Sequence, residues 1–503
     1  MSGRRKTKAK KNIITSLSYQ LIILFCGIIV PRLMIGAFGS EAYGATSSIT
    51  QFLAYITLLE GGIGGVARAV LYKPLAEDDF SAISAIMGEI KRFFRVIAWI
   101  FAGYVLILAF GFHAISHISC MDWVSTSVLV VVISISTFGQ YFIGISNTIL
   151  LQAAQKTYIT NLVSIAATVI NAVSIVILIQ LDCSIIIVKL VSSIIFFMRP
   201  VALWLYVRRL YPVNAAPATV RKTYLTQKWT GLGQHIAFFL HSNTDIAVLT
   251  VLVNLQTVAV YSVYNMIISH IQSLAMSFCS GMEAVFGDML ARREQQKLLE
   301  TFSVYETIIS MASCLLFSVS TVLIVPFIRL YTAGIRDADY IQPFFAVLMV
   351  LTALSYCLRL PYHSMVIAAG HFKQTRAAAY GEAALNIGLS VILVLNHGLI
   401  GVASATLIAT WFRFFYYVGY LSRNIFYRRI QLFAKRFFVN AIVFGCNCVI
   451  GEEIISMLPV DSYLIWAFCG LILVVVMGCL TLGINCLFFR TECSLLLRKI
   501  IKS

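Results

Sequence analysis

Residues 1–12, MSGRRKTKAKKN, run directly into residues 13–35, IITSLSYQLIILFCGIIVPRLMI: six Lys/Arg, then a long apolar stretch whose one charge is Arg32. At about 1.5 Å per residue a helix over this stretch spans a hydrocarbon layer of about 30 Å. As a cleavable signal it is too long and lacks a small-x-small site, and bulky Phe25 before Cys26 argues against lipoprotein processing. Residues 13–35 are therefore expected to be a retained first span. Similar stretches recur along the chain, at 42–67, 93–112, 123–151, 158–180, 184–206, 232–253, 256–286, 302–327, 341–368, 377–396, 398–420, 437–458 and 463–488. The split between 377–396 and 398–420 rests only on Asn396-His397-Gly398. Backbone facing lipid must satisfy its own hydrogen bonds, and the short alternating segments of a transmembrane β-barrel are missing. The sequence predicts an all-α polytopic membrane protein with about 14 transmembrane helices.

Composition agrees. Of 503 residues 60% are hydrophobic and only 12% charged, which excludes a disordered chain, a fibrous repeat and an ordinary cytosolic enzyme. The net charge of +17 reports orientation. With the N-terminus cytoplasmic, 31 Lys/Arg fall at the inside ends and loops, and two, Arg329 and Arg336, fall outside. So strong a skew is the positive-inside pattern, and it predicts both termini on the cytoplasmic side. The basic loops face anionic lipid headgroups, and nucleic acid is not expected as a partner.

The longest polar break, 207–231, follows six spans, and six more precede the basic loop 421–436. The expected organisation is an N-terminal lobe (1–206), a basic cytoplasmic linker (207–231), a C-terminal lobe (232–420), a basic cytoplasmic loop (421–436), and two further helices with a basic tail (437–503). Both lobes would begin inside, as parallel repeats do. Residues 38–62, FGSEAYGATSSITQFLAYITLLEGG, and 255–281, LQTVAVYSVYNMIISHIQSLAMSFCSG, echo each other weakly. Each has a polar turn, a tyrosine (Tyr43, Tyr261), a long helix and a closing glycine.

Residues 31–76, PRLMIGAFGSEAYGATSSITQFLAYITLLEGGIGGVARAVLYKPLA, resemble the start of Wzx-like polysaccharide/O-antigen flippases. Residues 243–267, NTDIAVLTVLVNLQTVAVYSVYNMI, resemble the start of their second half. That family sits in the multidrug/oligosaccharidyl-lipid/polysaccharide exporter superfamily, with lipid II flippases and MATE transporters. The resemblance implies two six-helix lobes in a MATE-like V around a central cavity. It implies alternating access that carries an undecaprenyl-pyrophosphate-linked oligosaccharide to the outer leaflet of the bacterial cytoplasmic membrane, for a downstream polysaccharide polymerase. In lipid II flippases two extra helices form a groove for the lipid tail, and the two here look similar.

Charges inside spans are costly and face a cavity, pair with one another, or snorkel from an end. Five cations lie within the expected spans: Arg32, Lys189, Arg199, Arg359 and Arg413. Arginine forks match phosphate oxygens, so all five are candidates for an anionic cargo. Snorkelling is the competing reading for Lys189 and Arg199. Asp245, with Gln234, His241 and Asn243 on the same helix, forms a polar stripe that lines a cavity or acts as glue between helices. Asp245 and Glu60 are candidates for ion coupling, or for a salt bridge with one of the arginines. Glu382 is a further candidate, or a partner of Arg376 or Lys373 near the inner end. Gly61, Gly62, Gly64 and Gly65 allow close packing or a bend, and Pro31, beside Arg32, a kink.

No Walker A motif, dinucleotide fingerprint or G-x-S-x-G is present, so a transporter without its own ATPase is expected, and no cofactor. Cys446-x-Cys448 lacks a second pair, so no metal is expected, and Cys120 and Cys183 are the only cysteines placed for an outside disulfide. A MATE-type cation antiporter is the alternative function. An acid in the first helix is usual there, where this chain carries Arg32. A lipid II flippase, or a membrane glycosyltransferase or ligase, fits less well, the latter for want of a large outer loop.

Overall fold

The computed structural model describes residues 2–60, 63–211, 232–279, 282–490, 492 and 494. Side chains at 2–6, 232–235, 237, 238, 241, 242, 274 and 277–279 fall outside the description. Gly61, Gly62 and most of the expected linker also lie outside it. Every regular element among the described residues is helical.

Ten helices are long and apolar enough to cross a membrane. Two contain a break. Ser2–Ala54 is interrupted at Gly39 (φ 82°, ψ 166°), and Phe372–Asn424 at Gly398 (φ 50°, ψ −124°). Each half of those two matches one expected span, which accounts for twelve. The expected spans 232–253 and 256–286 fall on Leu232–Leu252 and on Leu255–Cys279 with Met282–Ala291. The break in the first helix falls at Gly39, and Pro31 stays within helical backbone.

The chain forms two compact units. One is Met1–Phe239 with Leu249–Ser262; the other is Leu240–Val248 with Val263–Ser503. The division differs from the expected 1–206 and 232–420, because residues 249–262 belong with the first unit. Gly44 explains the attachment: a Cβ there would run into the backbone of Leu255, so the two segments touch backbone to backbone. Ser48 Oγ and Thr250 Oγ1, 2.6 Å apart, add a buried hydrogen bond.

In the first unit Phe94, Phe101 and Phe112 are buried along Phe80–Ser116, packed with Leu150, Leu203 and Val207. The helix through Trp123–Ala153 widens to a π-turn at Gln140–Gly144. Gly139 and Gly144 flank that turn and meet Phe197 and Pro200 of Ile185–Leu210.

In the second unit the two C-terminal helices, Ile430–Ser456 and Tyr463–Phe488, pack directly on Gln295–Tyr331. Lipid is as apolar as leucine, so packing and hydrogen bonds, rather than hydrophobicity, join such helices. Here Val322 and Leu323 pack with Cys469, Leu473 and Met477. Asn447 Nδ2 donates to Ser318 Oγ (3.2 Å) and Thr481 Oγ1 (3.0 Å), and Trp466 Nε1 to the Leu323 carbonyl (3.0 Å). The expected basic loop 421–436 is largely helical: one helix ends at Asn424 and the next starts at Ile430. Its Arg436 is buried, a correction to its reading as a loop cation.

Candidate functional site

Phe372–Asn424 folds back on itself at Gly398 as a helical hairpin. Gly398 holds the positive φ, and a Cβ at Gly401 would collide with the Leu393 backbone, so both turn glycines have a steric reason. The first arm carries Glu382, Asn386 and Ser390 at four-residue intervals, one polar stripe. The second arm answers with Thr406, Thr410, Arg413 and Tyr417. All are buried, and the stripes meet as a seam.

At one end of the seam Glu382, fully buried, bridges two arginines. Its Oε1 accepts from Arg359 Nη1 of Pro343–Ala368, and its Oε2 from Arg413 Nη1, each at 2.5 Å. Arg413 also donates through Nε (3.2 Å) and Nη2 (2.9 Å) to Tyr417 Oη. Arg359 lies 4.9 Å from the Tyr356 ring centroid, a cation–π contact. The His363 ring stacks on Tyr417, 6.1 Å between centroids and 3° from parallel, and its Nδ1 is buried without a hydrogen-bond partner. Two cations and one carboxylate leave the triad with one positive charge in surplus. The expectation that Glu382 pairs with Arg376 or Lys373 near a helix end is corrected. It is buried and pairs with Arg359 and Arg413, while Arg376 lies over Tyr380.

At the other end Asp245 is buried, with Thr406 Oγ1 3.0 and 2.9 Å from its two carboxylate oxygens. Asn386 Nδ2 donates to the same hydroxyl at 2.8 Å. Asn386 Oδ1 and Ser390 Oγ have no hydrogen-bond partner although both residues are fully buried. Asn243 is half-buried on the Asp245 helix, and the side chains of Gln234 and His241 lie outside the description. Among the described residues no three His, Cys, Asp or Glu gather as a metal site.

In the first unit the candidates are spread out. Arg199 Nη2 donates to Ser164 Oγ (2.9 Å), with its guanidinium 5.7 Å from the Phe196 ring. Arg32 and Lys189 are half-buried on separate helices. Glu60 ends the 3₁₀ segment Tyr55–Glu60 and accepts a hydrogen bond from Tyr141 Oη, which the π-turn presents. Among the described residues nothing meets the space where a Cβ would stand at Gly64 or Gly65. Cys120 and Cys183 are both free thiols.

A second charged cluster went unrecognised in the sequence. Glu306 of Gln295–Tyr331 accepts from Tyr362 Oη and from Arg436 Nη1, and pairs with Arg428 Nη2 at 3.1 Å. Arg436 Nη2 donates to Glu492 Oε1 (3.1 Å) and to Ser303 Oγ (3.0 Å). The available signal was an acid inside an apolar helix, Glu306, with no matching cation among the span arginines.

No protein-family model matches the chain, and no curated protein matches its sequence. Its fold does have solved counterparts. One is a structure described as the lipid II flippase MurJ in an inward closed conformation, with a TM-score of 0.65 and 16% identity, covering 93% of this chain and 98% of that one. A multidrug resistance MATE family transporter in an inward-facing conformation follows at 0.61 and 14% identity, covering 82% and 98%. A MATE transporter of Vibrio cholerae matches at 0.54 and 13% identity, covering 84% and 99%. The chain therefore has the all-helical fold of MurJ and the MATE transporters, a multi-pass membrane architecture. At these identities the likeness is one of fold.

Proposed function

We propose that the chain is a flippase that moves an undecaprenyl-pyrophosphate-linked oligosaccharide from the cytoplasmic to the outer leaflet of the bacterial cytoplasmic membrane. It works by alternating access, with both termini cytoplasmic, and supplies repeat units to cell-surface polysaccharide. The observation that carries this reading is the buried Arg359–Glu382–Arg413 triad with its surplus positive charge. A cationic drug would be repelled there, whereas the forks of two arginines suit the oxygens of a pyrophosphate.

Two further features support a lipid-linked cargo. The fold is shared with a lipid II flippase over 93% of the chain. A cavity of about 140 Å³ in the second unit, against Ile430–Ser456, is lined by Leu354, Leu358, Trp411 and Phe437 with Glu306 and Arg436 at its edge, and its apolar wall suits a segment of a polyisoprenoid tail.

Gene deletion tests the reading. Loss of surface polysaccharide, restored by the wild-type chain and not by Arg359→Ala or Arg413→Ala at equal protein level, is the expected result. Intact polysaccharide with drug hypersensitivity would favour a MATE-type antiporter and sink the flippase.

A further inference from the structure

We propose that Glu382 is an internal counter-anion, which occupies Arg359 and Arg413 between cargoes and takes up one proton when a pyrophosphate diester replaces it. This rests on the flippase reading and adds the charge balance of its binding step. Both carboxylate oxygens of Glu382 are engaged, one by each guanidinium, so the Nη1 groups that converge on one point are already filled by an anion. A phosphate oxygen aimed at that point competes with the carboxylate for the same donors.

Charge decides the outcome of that competition. With Glu382 ionised the triad carries one net positive charge. A pyrophosphate joined to lipid at one end and sugar at the other carries one negative charge on each phosphate. Bound to the ionised triad it would leave one unbalanced negative charge in a buried site, where unpaired charge is most costly. Protonation of Glu382 removes that excess: two guanidinium cations then face two phosphate anions, and the carboxyl becomes a hydrogen-bond donor. The proton comes from solvent and returns to it when cargo leaves. No bond other than this O–H forms or breaks.

The groups facing Glu382 leave it as the natural acceptor. Among the described residues these include Arg359, Tyr356 and His363 from Pro343–Ala368, and Arg413 and Tyr417 from the second hairpin arm. Glu306 is held instead by Tyr362, Arg428 and, from Ile430–Ser456, Arg436. Asp245 joins the seam through Thr406, which Asn386 also contacts. Of the acids among the described residues, Glu382 alone forms ion pairs with the two arginines that would hold the cargo. By linkage, cargo raises the proton affinity of Glu382, and protons raise the affinity for cargo by the same factor.

The test uses the purified full chain in nanodiscs with a farnesyl-pyrophosphoryl N-acetylglucosamine, a diester whose own charge is constant near neutral pH. Calorimetry in two buffers of different ionisation heat counts protons. Wild type is expected to take up about one proton on binding, with affinity falling about tenfold per pH unit once Glu382 is ionised in the free protein. Glu382→Gln is expected to bind at least as tightly, with no proton uptake and a flat pH profile, whereas His363→Gln keeps the wild-type proton count. Wild-type binding without proton uptake overturns the inference and leaves the flippase reading standing. So does uptake that persists in Glu382→Gln or vanishes in His363→Gln. Failure of wild type to bind, or undiminished binding by Arg359→Ala and Arg413→Ala, overturns that reading and the inference with it.

Discussion

Two buried carboxylates in the second unit are each clasped by two arginines, and they differ in what surrounds the clasp. Glu306 is held by Arg428, Arg436 and Tyr362, and Arg436 is shared with Glu492, so two acids balance two cations. Glu382 faces Arg359 and Arg413, and among the described residues no second acid forms an ion pair at the clasp, where Tyr356, Tyr417 and His363 lie beside it. The balanced cluster fastens the C-terminal helices to Gln295–Tyr331. The unbalanced one carries a surplus positive charge, which the proposed function assigns to the cargo.

Mutations at the two clasps break or sharpen that contrast. The largest loss is expected for Arg436→Ala, which strands Glu306 and Glu492 against one remaining arginine. Removing one partner of a buried ion pair costs about 3–5 kcal/mol, so this variant should melt well below wild type in detergent. A wild-type melting temperature would erase the structural role given to this cluster. Thr406→Val comes next, because it takes the shared hydroxyl from both Asp245 and Asn386; a loss of about 1–3 kcal/mol is expected in the same measurement.

Arg413→Ala should cost less stability than Arg436→Ala, since the Arg359–Glu382 pair it leaves is neutral, yet it should abolish export. If Arg413→Ala and Arg436→Ala lower the melting temperature equally, the distinction between balanced and unbalanced clasps fails. The smallest effect belongs to Ser390→Ala, which deletes a buried hydroxyl without a partner. It should be neutral or stabilise by about 1 kcal/mol in apparent melting, and a large loss would mean that the hydroxyl has work in the seam.

The placement of the helices was legible because apolar length is a property of composition along the chain. Even the division at Asn396-His397-Gly398 was readable, since a glycine amid apolar residues marks a turn when span length demands one. Pairing was less legible. Arg359 and Arg413 were visible as charges in apolar runs, but their meeting at Glu382 depends on how three helix segments lie together. Glu382 looked peripheral because its distance from Arg376 along one helix was known and its distance from Arg413 was not. Arg436 was misplaced for a related reason: a cation near a basic stretch reads as a loop charge until the helix is seen to begin at Ile430.

The hairpin at Gly398 has a consequence for how the protein is made. Glu382 and Arg413 lie 31 residues apart, and Asn386 and Thr406 only 20, on consecutive arms. A nascent chain therefore holds both halves of each contact soon after the second arm is synthesised, without waiting for distant helices. Arg413 can enter the bilayer beside its carboxylate as a neutral pair, which spares the membrane an isolated guanidinium at depth. Severing the arms by a long insertion at the turn would leave the same residues in the same spans, but would oblige each charge to cross alone.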